Sequence, residues 1–158
     1  MKKIIKFLTS KIKKILNIGK GSNEVQKLAL GKMLSKKNKL KTVEKIEDIE
    51  FKIFSQFGDD GIIQFLTDKL EIDYEYHNFI EFGVEDYSES NTKFLLLNNN
   101  WSGLILDSSN ENIENIKKNN FFWKFELEAI KSFITKENIN SIIANSNINK
   151  KKNWNFKY

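Results

Sequence analysis

The sequence has no cysteine, no arginine and a single histidine, His77. Without cysteine there is no disulfide, no thiolate metal site and no cysteine nucleophile. One histidine excludes a two-histidine metal site and a histidine-pair proton relay. No apolar run is long enough to span a bilayer and no uninterrupted signal-peptide core is present, so the expected location is the cytoplasm. Glycine is sparse at seven residues. That scarcity limits which cofactors the backbone can approach.

What is present suits one folded domain. The length of 158 residues fits a single domain. Thirteen Phe, three Trp and four Tyr within a 40% hydrophobic composition are enough to build a core, which excludes wholesale disorder. Asparagine occurs 20 times, and Ile and Lys are also abundant. All three have AT-rich codons, so the bias reflects the genome and the Asn runs carry no functional weight. The net charge of +5 is unevenly placed, at +12 over residues 1–45 and −7 over residues 46–158. The basicity belongs to an arm, which argues against a nucleic-acid footprint spread over the whole protein.

Within the arm, Met1–Ile18 places Ile4, Ile5, Leu8, Ile12, Ile15 and Leu16 on one helical side and Lys on the other. Gly19-Lys20-Gly21-Ser22 ends that helix. Such a helix either lies on an anionic membrane surface, giving peripheral contact through residues 1–18, or packs on the domain. A second Lys-rich helix is expected over Glu24–Lys37, and Lys36–Lys45 is the candidate boundary between arm and domain. Beyond Ser55-Gln56-Phe57-Gly58-Asp59-Asp60-Gly61 a helix is expected over Ile62–Leu70.

From His77 onward the pattern alternates. Strands are expected at Phe79–Val84, Gly103–Asp107 and Phe121–Leu127. Helices are expected after Ser88/Ser90 through Phe94–Leu97, over Asn110–Lys118, and over Ser132–Ala144. This order predicts an α/β protein with a parallel sheet and right-handed crossovers, a partial Rossmann-like sheet preceded by a basic helical arm.

Parallel sheets bind ligands beyond the carboxyl ends of their strands. Glu81 and Gly83 fall at the end of the first strand and Asp107 at the end of the second. A carboxylate at the second tip is placed to hold a ribose diol, and Gly83 lets the backbone approach a cofactor. A dinucleotide pyrophosphate needs several glycines, and this turn offers only Gly83 followed by Glu85 and Asp86, which argues against NAD or FAD. The acids instead suit a cofactor with a cationic amino-acid end. The alternative is that Glu81 caps a loop and Asp107 is a helix N-cap before Ser108-Ser109.

Three segments, Phe79-Ile80-Glu81-Phe82-Gly83-Val84, Glu89-Ser90-Asn91-Thr92-Lys93-Phe94-Leu95-Leu96 and Asn100-Trp101-Ser102-Gly103-Leu104-Ile105-Leu106-Asp107, together resemble class I S-adenosylmethionine-dependent methyltransferases of the FkbM-like kind. These are bacterial enzymes associated with surface-polysaccharide and glycan modification. Ser55–Gly61 and Phe133–Ile139 are similar to flanking family segments, and the resemblance covers about residues 50–145. It implies S-adenosylmethionine as cofactor and a glycan or small-molecule acceptor. By position it implies that Glu81 and Gly83 form the first cofactor motif, Asp107 and Ser108 the ribose site, and Asn91 the pocket mouth. It places adenine contacts at Glu126 and Leu127. Glu85 stands where a second glycine is usual.

The resemblance divides the chain into a basic arm over 1–45, the N-terminal half of a methyltransferase-like domain over 46–148, and a non-family tail over 149–158. The family's fourth strand has no counterpart, so no catalytic residue is assigned and the family member is expected to be C-terminally truncated. The tail itself suggests a frameshift. Asn149-Lys150-Lys151-Lys152 implies a run of A bases, and Trp154 has the single codon TGG. Read one base later, the tail codons give an apolar Ile-Gly-Ile-Leu-Ser-Ile segment of fourth-strand type. Two other readings stay open: a non-enzymatic remnant, and a membrane-surface module acting through the first helix.

Overall fold

The computed structural model describes residues 23–152. The amphipathic helix expected over Met1–Ile18 and the last six residues of the tail lie outside the described residues. Residues 23–39 are helical (α1). They are followed by α2 (Asp59–Lys69), β1 (Asn78–Phe82), α3 (Lys93–Asn99), β2 (Ser102–Asp107), α4 (Asn110–Lys117), β3 (Leu127–Lys131), α5 (Ile139–Asn145) and α6 (Asn147–Lys152). The three strands form one parallel sheet in the order β1-β2-β3. The chain is an α/β protein with a partial Rossmann-like sheet, preceded by a helix.

β2 is the central strand, and Leu104, Ile105 and Leu106 are completely buried. A strand covered on both faces reads as a continuous apolar run, as this one does. Each such side chain contributes roughly 1.5–3 kcal/mol on leaving water. Gly103 pairs with Phe79 on one side and Leu127 on the other. A Cβ at Gly103 would overlap the Phe79 ring and stand 2.9 Å from Leu127 Cδ1, so the missing side chain makes room for both neighbours. The main core joins these strands to Tyr87, Leu95, Leu96, Trp101, Ile113, Ile116 and Phe121.

The third strand begins where it was expected to end. Phe121–Phe125 forms turns instead, with Lys124 N and Phe125 N both donating to Phe121 O at 3.0 and 3.2 Å. The aromatic run suggested a strand, but its rings anchor the turn: Phe121 is buried while Trp123 stays 74% exposed. Alternation starts at Leu127 and Ala129, both buried, and this sets the register against Gly103 and Ile105.

The helix expected over Ser132–Ala144 is confined to Ile139–Asn145. Asn138 holds the preceding segment out of the helix. Its Oδ1 accepts from Thr135 N at 2.9 Å and its Nδ2 donates to Phe133 O at 2.9 Å, a side chain competing with the helical ladder. α2 starts at Asp59, three residues before Ile62, because Gly58 turns the chain at φ 118° and the buried Asp60 carboxylate ties the first turn to the amides of Ile53, Phe54 and Ser55. The tail also contributes a helix, α6, and Asn147 N donates to Glu128 Oε2 at 2.7 Å.

α1, which runs into the expected boundary at Lys36–Lys45, packs against residues that follow that boundary. Leu28 and Leu34 pack against the cluster of Phe51, Ile53, Phe54 and Phe94. Asn38 Nδ2 donates to Ile49 O at 2.7 Å, Lys39 pairs with Asp68 at 3.1 Å, and Lys93 pairs with Glu24 at 2.8 Å. His77, at the amino end of β1, donates from Nε2 to Ile72 O at 2.8 Å and stacks on Trp101 at 4.9 Å. That is a packing role, at the end of the strand opposite Glu81. No described helix is long and apolar enough to cross a membrane.

Candidate cofactor site

The carboxyl ends of β1 and β2 bring Glu81, Gly83 and Asp107 to one rim of the sheet. Glu81 pairs with Ile105 in the ladder, and Gly83 N extends the pairing by donating to Leu106 O at 2.8 Å. Gly83 then turns at φ 66°, and a Cβ placed there would meet no atom within 4 Å. The backbone at this turn faces open space.

Glu81 is engaged within the protein. Its Oε1 accepts from Asn91 N at 2.9 Å, and its Oε2 accepts from Ser90 Oγ at 2.6 Å and Thr92 N at 3.2 Å. Thr92 Oγ1 also donates to Oε2. Glu81 therefore accepts the amides of Asn91 and of the N-cap residue Thr92, the two that lead into α3. Neither Ser88 nor Ser90 caps α3, since the cap position belongs to Thr92 and the Ser90 hydroxyl is turned onto Glu81. Asn91 is exposed at this mouth, and only its backbone amide takes part.

Asp107 ends β2 and is 7% exposed. Oδ1 accepts from Ser109 N at 2.8 Å and Asn112 Nδ2 at 3.0 Å, while Oδ2 accepts from Glu85 N at 2.9 Å. A carboxylate has about four acceptor positions, so one position on Oδ2 stays open among the described residues. The N-cap of α4 is Ser109, whose hydroxyl accepts from Asn112 N at 3.3 Å. Ser108 is exposed beside it.

Glu126 and Leu127 are not at this rim. They stand at the amino end of β3, where Ser102 Oγ donates to Glu126 Oε2 at 2.7 Å and Leu127 pairs with Gly103. The displacement follows from the shift of β3. Its carboxyl end is Lys131, opposite Asp107, and Ser132 N donates to Asp107 O at 2.9 Å. Next comes Phe133, 76% exposed. Sequence patterning also passed over the Glu85 amide, whose approach to Asp107 depends on a turn with φ 49°. The Asn112 partner was within reach of sequence inspection, since it follows Ser109 by the three residues of an N-cap bond.

Two ionisable groups of the loop after β1 are perturbed. Asp86 is held below the usual carboxylate range, chiefly by a hydrogen bond from the Ser88 side chain, with Ser88 N at 2.9 Å and the Lys93 charge adding to it. Burial pushes the Tyr87 phenol up from 10.0, and its hydroxyl lies 3.0 Å from Thr92 Oγ1. Among the described residues no group of three or more His, Asp or Glu could hold a metal ion.

The fold and rim define an α/β protein with a partial Rossmann-like sheet and two carboxylates at adjacent strand ends. Comparison with family models, curated proteins and solved structures yields no match. The family resemblance rests on the motif residues alone.

Proposed function

We propose that this chain is the cofactor-binding part of an S-adenosylmethionine-dependent methyltransferase of the glycan-modifying FkbM-like kind. The observation that carries the reading is the placement of Asp107 at the tip of the central strand, beside a Gly83 turn that faces open space. Ligands of parallel sheets bind at this end. In this reading the open position on Asp107 Oδ2 takes one ribose hydroxyl, and the second hydroxyl takes the place of Glu85 N. Phe133, exposed beyond β3, supplies the adenine face in place of Glu126 and Leu127. Glu81 supports the rim without touching the ligand, because its oxygens already hold the turn before α3.

That engagement of Glu81 also favours the second reading, a non-enzymatic relative in which the same carboxylates only build the loops. Calorimetric titration of the full chain with S-adenosylhomocysteine separates the two. Under the first reading Asp107→Ala weakens binding about tenfold to a hundredfold, the equivalent of roughly 1.5–3 kcal/mol for lost charge-assisted bonds. Equal affinities would remove Asp107 from the site, and no heat with either protein would leave the non-enzymatic reading.

A further inference from the structure

A second chamber lies apart from the strand-end rim. It has a volume of about 660 Å³ and opens between the start of α1, the start of α3 and the turn after α4. Neither Glu81, Gly83 nor Asp107 lines it. Small-ligand sites fall in the same size range.

Lys93 forms its charged wall. The Lys93 side chain is 7% exposed, with its ammonium 5.0 Å from the Phe54 ring centroid and 5.1 Å from that of Phe121. Ring faces attract a cation, but a buried ammonium still needs a countercharge. Glu24 provides it, with Oε1 at 2.8 Å and a side chain 39% exposed. Two more cations, Lys27 and Lys118, line the chamber with Asn120 and with Asn119, whose Nδ2 donates to Asn115 O at 3.1 Å. The other acid in the lining, Asp86, faces Ser88, whose amide it accepts at 2.9 Å. Apart from the carboxylates of Glu24 and Asp86, the charged groups of the lining are the ammonium groups of Lys27, Lys93 and Lys118, and the Phe54 and Phe121 rings flank that of Lys93.

We propose that this chamber is a binding site for a small anion bearing a carboxylate or phosphate group, and that Glu24 holds the anion's place on Lys93 in the free protein. Because Glu24 belongs to α1, an incoming anion competes with the contact that ties α1 to α3. Ligand occupancy is thereby linked to how firmly α1 is docked. The proposal does not rest on the cofactor reading: Asp86 alone is common to the two sites, and the cations proposed to hold the anion, Lys93, Lys27 and Lys118, are not residues of the cofactor site.

Thermal unfolding of the full chain tests it, with inorganic phosphate, acetate or chloride added at equal ionic strength. Glu24→Gln is expected to unfold earlier in chloride and to be restored by phosphate or acetate. Its apparent affinity for the anion is expected to be about tenfold tighter than that of the unsubstituted chain, because the competing charge-assisted bond is gone. Restoration by only one of the two anions identifies the group recognised. Lys93→Met is expected to abolish the response. Should that variant fail to fold, Lys118→Gln and Lys27→Gln, both at exposed positions, carry the test through weaker anion affinity. A Glu24→Gln protein equally destabilised in all three salts would overturn the proposal. So would a phosphate effect of the same size in every variant, which marks a general salt effect.

Discussion

Asp107 Oδ2 accepts the backbone amide of Glu85 at 2.9 Å, so the tip of β2 holds the loop that follows β1. That loop is strained. Gly83, Glu85 and Tyr87 take φ values of 66°, 49° and 62°. A residue with a side chain in this region gives up roughly 1–2 kcal/mol. Burial and Thr92 hold Tyr87 there, and Asp107 holds Glu85.

Removing the Asp107 carboxylate is therefore expected to free Glu85. In Asp107→Ala the Glu85 amide should exchange with solvent at least about tenfold faster, whereas amides within β2 should change little. Residue-resolved hydrogen exchange measures this. Unchanged protection at Glu85 would mean that the loop holds its conformation without Asp107.

Glu81→Ala should lower the unfolding temperature by several degrees. The substitution takes the Glu81 acceptor from the amide of Asn91 and the hydroxyls of Ser90 and Thr92, and leaves the Thr92 amide only its bond to Ser90 Oγ at 3.2 Å. A buried unsatisfied donor costs about 1–3 kcal/mol, but these groups are only partly buried and water recovers some of that. Calorimetric unfolding reads the difference. A neutral result would place the order of the α3 start elsewhere.

Two glycine substitutions should separate sharply. At Gly61 a Cβ would overlap the Ile49 carbonyl oxygen and the Phe51 amide nitrogen, and backbone has little freedom to move aside. At Gly83 the space is open and only the conformation at φ 66° opposes a side chain. Gly83→Ala is expected to cost about 1–2 kcal/mol, and Gly61→Ala more than that. Denaturant unfolding ranks the two, and the reverse order would contradict the close packing of α2 on residues 49–51.

Asp86 sets an acid-dependent term. Its folded value lies below 3.8, so the unfolded chain binds the proton more readily. The associated stability is present above the unfolded value and is lost as pH falls through the folded one. The side chain is exposed, so the effect is small. Ser88→Ala removes the largest cause and should move the Asp86 titration up toward 3.8, as followed by carboxyl NMR. The stability difference that this interaction makes between the two proteins should fade at pH values below the folded transition. An unmoved titration would assign the depression to the Lys93 charge.

The alternation from His77 onward made most of the sheet legible. The apolar run Leu104-Ile105-Leu106 ending in Asp107 needed no tertiary information, because a strand buried on both faces must be apolar throughout. The same holds for Ile113 and Ile116, spaced for one face of α4. β3 was misplaced because Phe121–Phe125 is as apolar as a strand, and only packing reveals that its rings serve a turn. The misplacement carried Glu126 and Leu127 to the wrong end of the sheet.

The sequence by itself determined which residues stand at the first two strand ends, since a period of two and a run length suffice to find Glu81, Gly83 and Asp107. Only the tertiary structure decided what those residues do. Hydrogen-bond capacity is limited, and partners 22 and 10 residues away, Glu85 N on Asp107 and Asn91 N on Glu81, claim much of it. The chamber around Lys93 is likewise tertiary, because it forms where Glu24, Phe54 and Phe121 meet from three distant parts of the chain.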